Sequence, residues 1–177
     1  SAMLERYGLF TMIVLGESLA GIIEHMTAEH TELADYTHFT AALVCIIGTW
    51  MIYYTLMDER EVTASHYWPI SLFRGIHRFL IACLTLQSFF ISQTYETGKP
   101  IYYTGLIIVT ALVLLALLAL TRPQLYNVHP LSSPKLWATS GTIVLMLLTL
   151  LTPVFVGLAV TDIALLTLGI WSWTTQV

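Results

Sequence analysis

Charge is what this sequence has least of. Only 10% of its 177 residues are Asp, Glu, Lys or Arg, against roughly 25% in a soluble domain. With 56% hydrophobic residues and a mean hydropathy of +0.76, a soluble fold of this size could not hide its apolar surface. Seven basic residues in a chain of net charge −4 supply no basic stripe, so no nucleic-acid partner is expected. Cysteine is almost missing as well. Cys45 and Cys83 both fall inside apolar runs and read as small buried hydrophobes, not as a disulfide framework. His25 and His30 flank Glu29, while His38, His66, His77 and His129 are scattered, with no i,i+4 pair and no zinc spacing. No metal site and no cofactor is therefore expected. The sequence also lacks a Gly-x-Ser-x-Gly elbow and a phosphate-binding glycine loop, so no catalytic residue is assigned and nothing requires an enzyme. The first hydrophobic run is long and has no basic flank followed by a small-residue cleavage site, so no cleavable signal sequence is expected.

What the chain has instead is apolar stretches of about 20 residues, the length that crosses a bilayer core. They lie near 6–25, 38–57, 70–95, 101–121, 136–156 and 160–177, the last two divided at Pro153, Gly157 and Asp162. Such runs are too long for barrel strands, and helices satisfy their own backbone groups in lipid. The expectation is an all-α, polytopic transmembrane bundle of about six spans, with residues 1–177 forming one transmembrane domain in a lipid bilayer. Arg6, Arg60, Arg74, Arg78, Arg122 and Lys135 fall on one face or its adjoining helix ends, and only Lys99 falls on the other. By the positive-inside rule the N-terminus, the 58–69 loop, the 122–135 segment and the C-terminus are cytoplasmic. The first outer loop, with Glu24, Glu29, Glu32 and Asp35 and no Lys or Arg, suits the opposite face.

Glu17 stands in the middle of the first span. An intramembrane carboxyl costs several kcal/mol unless it is paired, protonated or wetted, which makes it a candidate functional residue. Arg6, Glu17 and Glu24 are spaced by 11 and 7 residues and so share one helical stripe. Gly16, Ala20 and Gly21 lie on it or beside it, and small residues let another helix approach closely, so this face is expected to point into the bundle. Rise per residue places Glu17 roughly 15 Å beyond Tyr7, and Arg78 roughly 12 Å beyond Ile70. A Glu17–Arg78 ion pair follows, with Arg74 and His77 one turn nearer the cytoplasm. The alternative is that Arg74 and Arg78 snorkel to the headgroups. Thr85, Gln87, Ser88, Ser92 and Gln93 continue the polar theme and could line a wet cavity with the first span.

The string Glu5-Arg6-Tyr7-Gly8-Leu9-Phe10-Thr11-Met12-Ile13-Val14-Leu15-Gly16-Glu17-Ser18 resembles the signature of the bacterial low temperature requirement A (LtrA) family: Glu-Arg-x-Gly-Leu-Phe, hydrophobics, then Leu-Gly-Glu-Ser. The positions that match are Glu5, Arg6, Gly8, Gly16, Glu17 and Ser18. The segment Arg74-Gly75-Ile76-His77-Arg78 is more basic than the family's pattern there. The resemblance implies a polytopic helical protein of the bacterial inner membrane, and this chain is similar to the C-terminal half of the usual family member. A chain of that kind would pair with a copy of itself, as a homo-oligomer, or with a missing N-terminal half. The family carries over no substrate, ligand or catalytic residue.

Three functions are compatible with these readings. The first is transport or permeation of a proton or small cation, with Glu17 as the intramembrane carboxyl, Glu24 at the outer entrance, and Arg78, Arg74 and His77 on the cytoplasmic side. The second is a membrane scaffold in which the charged stripe specifies helix contacts. The third is an intramembrane lipid-modifying enzyme, for which Glu17 and His77 are the one pair available.

Overall fold

The computed structural model describes residues 2–28, 33–57, 67–97, 99–121 and 133–174. Arg60 and the rest of the acidic 58–61 cluster, His30, His66, His129, Arg122, Tyr126 and the proline-bearing stretch 122–132 lie outside them. Six long helices run in chain order: α1 (Ala2–Ala28), α2 (Leu33–Met57), α3 (Tyr67–Thr97), α4 (Pro100–Leu120), α5 (Ser133–Leu148) and α6 (Val154–Thr174). Each contains a stretch long and apolar enough to cross a membrane, which makes the chain an all-helical, multi-pass membrane protein.

Local chemistry explains where the helices begin and break. The α3–α4 hairpin turns at Lys99, an extended N-cap with φ −75° and ψ 131°, and Pro100 opens α4, where a missing N–H costs nothing. The α5–α6 break is a 3-10 turn, Thr149–Leu151, followed by extended Thr152 and then Pro153. A proline forces its predecessor out of the helical region, and Thr152 complies with φ −107° and ψ 162°. Three hydroxyls stitch this corner together. Thr149 Oγ1 donates to Met146 O at 2.6 Å, Thr152 Oγ1 donates to Thr149 O at 2.7 Å, and Tyr103 of α4 donates to Thr149, 2.9 Å from its hydroxyl and 3.1 Å from its carbonyl. The sixth helix thus begins at Val154, not near 160. Pro153 makes the break, and Asp162, read from sequence as part of it, lies eight residues inside α6.

The bundle is built on two close pairs, α3 with α4 and α2 with α6. In the second, glycine permits the approach: a Cβ on Gly48 would stand 3.0 Å from that of Leu165, and one on Gly169 would stand 3.0 Å from that of Met51. Backbones brought this near gain dispersion contacts that lipid cannot supply. α4 is the most buried helix; Ile107, Val113, Leu114 and Leu117 have no accessible surface. α5 packs on α4 and α6. α1 rests on α2 and α3 and is the least buried. Among the described residues α2 and α3 are not a closely packed pair, although side chains of each reach the other.

Candidate functional site

The side chains that span the space between α2 and α3 are polar. Nearer the start of α1, His77 of α3 is fully buried, with Nε2 3.1 Å from the Tyr53 hydroxyl of α2. Its ring clusters with those of Tyr7, at 4.6 Å, and Phe73, at 5.2 Å. Thr11 of α1, fully buried, donates its hydroxyl proton to Tyr7 O at 2.9 Å. His77 Nδ1 is buried and has no hydrogen-bond partner among the described residues.

Ten residues along α3, roughly 15 Å deeper, Gln87 forms a second centre. Its amide Nε2 donates toward Thr110 Oγ1 of α4 at 3.1 Å and toward Thr49 Oγ1 and Cys45 Sγ of α2 at 3.3 and 3.6 Å. Both threonine hydroxyls give their protons to their own helices, Thr49 to Cys45 O and Thr110 to Leu106 O, which leaves their lone pairs free for the amide. Asp162 is buried on α6, the helix that packs closely on α2. Asp162 is 7% exposed, and no side-chain hydrogen bond or cation partner to it is made among the described residues. Thr94 and Thr161 carry buried hydroxyls with no hydrogen-bond partner among the described residues. His77, Gln87 and Asp162 are buried polar groups of α3 and α6, here termed the polar seam, with buried Leu80 and Leu84 between the first two along α3. No group of three His, Cys, Asp or Glu side chains able to hold a metal occurs among the described residues.

The signature string of α1 divides into two sides. Thr11, Leu15 and Ser18 are buried, and Ser18 bonds back to Val14 O at 2.8 Å. Gly8 lends its carbonyl to the Tyr54 hydroxyl at 3.5 Å. Glu5, Arg6, Glu17 and Glu24 are exposed, and a Cβ on Gly16 would meet nothing within 4 Å. The stripe expected to face the bundle thus faces out of it, because Glu17 points about 100° away from Ser18.

The expected Glu17–Arg78 pair is absent, for a reason of register. Tyr7 stacks on His77 and approaches Phe73, so the start of α1 is level with the 73–77 turn of α3, not with Ile70. Glu17, ten residues beyond Tyr7, then lies roughly 10 Å deeper than Arg78. Arg78 and Arg74 instead line an open cleft with Arg6, Tyr7, Phe10 and Ile81.

Sequence reading named His77 and noticed Gln87, but passed over Asp162, Tyr53, Thr49 and Thr110. Asp162 had a signal: it is the sole acidic residue after Glu96, with apolar runs on both sides.

No curated protein and no solved structure matches the chain. The model describing the bacterial low temperature requirement A protein (LtrA) matches residues 1–172, nearly the whole chain. With six apolar helices and the Glu5–Ser18 string on the first of them, the chain belongs to the LtrA family.

Proposed function

We propose that this LtrA protein conducts a proton or small cation across the bilayer, and that Asp162 is the carboxyl on its path. The observation that carries the reading is the placement of Asp162: buried within a span, on the helix packed against α2, and without a cation partner among the described residues. A carboxyl in such surroundings is costly to keep, and groups of this kind line proton and ion pathways. Gln87, Thr49 and Thr110 offer dipoles that exchange partners without taking on charge, and His77 with Tyr53 supplies a titratable pair toward the α1 start.

Glu17 enters the same reading as a second carboxyl, half-way along α1 and outside the seam. Purified protein in proteoliposomes separates the two roles. Flux lost in Asp162→Asn and kept in Glu17→Gln assigns the path to the seam; the reverse assigns it to the outer face of α1. A scaffold reading is favoured by one feature, the open face of α1 where Gly16, Glu17 and Ala20 are all exposed. It predicts no flux in any variant and loss of a higher-order assembly in Glu17→Gln.

A further inference from the structure

We propose that the cleft between α1 and α3 binds the phosphate of an anionic phospholipid in the leaflet where α1 begins. Arg6 comes from α1, Arg74 and Arg78 come from successive turns of α3, and all three line one open cavity of about 570 Å³. Arg74 and Arg78 are spaced i,i+4 and so share a helix face. Three arginines thus bring positive charge to one cleft, and guanidinium forks match phosphate oxygens in pairs, so the cavity is suited to an anion. The remaining wall is Tyr7, Phe10 and Ile81, and Leu9 and Phe10 stay exposed beside it. A charged mouth with an apolar flank suits an amphiphile better than a free ion.

Depth agrees with a headgroup. The Tyr54 hydroxyl of α2 reaches Gly8 O at 3.5 Å, and α2 ends three residues later at Met57. The level of Arg6 is therefore close to the helix ends. At 31 residues α3 is roughly 46 Å long, well beyond a hydrocarbon core of about 30 Å. Tyr67 and Trp68, aromatic residues of the kind that favour a membrane–water interface, are exposed at this end. Glu5, the acidic neighbour in sequence, is exposed but does not line the cavity. Basic pockets between transmembrane helices at the membrane surface bind lipid headgroups by this chemistry.

The test is native mass spectrometry of the full chain equilibrated with equal phosphatidylglycerol and phosphatidylethanolamine. Wild type should retain phosphatidylglycerol in preference. Each arginine near the surface is worth about fivefold, so Arg74→Gln with Arg78→Gln should cut the preference by about 25-fold. Lys99→Gln, at the opposite end of α3, should leave it intact. The charge-preserving Arg74→Lys with Arg78→Lys should keep most of it, which separates lost charge from lost fold. Added inorganic phosphate should not displace the lipid. An unchanged preference in the double Gln variant, equal loss in the double Lys variant, or displacement by inorganic phosphate would each overturn the proposal.

Discussion

Asp162 shows what a single residue can hide in a hydrophobic sequence. A charge between two apolar runs reads as a boundary when hydropathy alone is weighed, since Asp is among the costliest residues at a span centre. In the structure the boundary is at Pro153, which lacks the N–H and fixes its neighbour's backbone, and Asp162 is buried inside α6. Glu17 shows the converse. Its position in the chain marks it out, yet which way it points is decided by Thr11, Leu15 and Ser18, whose burial sets the inward face of α1. At this scale the corner held by Tyr103 gives a sharp prediction. A Cβ at Gly157 would collide with the Tyr103 hydroxyl, so Gly157→Ala must displace it from Thr149. Overpacking of this kind costs about 1–3 kcal/mol, and thermal unfolding in detergent should show the loss. Gly141→Ala, where a Cβ meets nothing within 4 Å, is the control and should melt like wild type.

At the scale of helices, existence was legible in the sequence and register was not. Six runs of the right length announce six helices, because a bilayer leaves the backbone no other way to satisfy its polar groups. Nothing in the runs says how far one helix slides along another. The Glu17–Arg78 pair fails on that point alone: the Tyr7–His77 contact shifts α3 toward the α1 start, and the arginines end in the cleft with Arg6. Aromatic and hydrogen-bonded contacts between helices fix the offset, and these depend on partners distant in the chain. The α2–α3 gap follows the same logic, being bridged by Gln87 instead of closed by small residues. Gln87→Leu should therefore weaken the bundle by about 0.5–2 kcal/mol, the range for hydrogen bonds between membrane helices. Reversible unfolding in mixed micelles would check this, and an unchanged midpoint would show that the Gln87 contacts contribute nothing.

For the whole molecule, the bilayer is the environment in which the burial pattern makes sense. Leu9, Ile13, Phe79, Leu115 and Ile163 are exposed on different helices, as lipid contact requires. The charge asymmetry adds a direction. With six basic residues assigned from sequence to one face or its adjoining helix ends and Lys99 to the other, the positive-inside rule predicts a cytoplasmic N-terminus. A cysteine placed at Lys99, in a chain with Cys45 and Cys83 replaced, should react with an impermeant thiol reagent added to intact cells, and a cysteine placed at Ala2 should not. The opposite pattern would invert the topology.

The seam joining His77, Gln87 and Asp162 is the feature on which the transport reading stands. Proton and monovalent-cation flux into proteoliposomes, compared between wild type and Asp162→Asn at matched incorporation, tests it most directly. The account predicts measurable flux in wild type and a loss of at least about tenfold in the variant, equivalent to about 1.4 kcal/mol in the limiting barrier. Flux that persists unchanged in Asp162→Asn, or none in either protein, would contradict it.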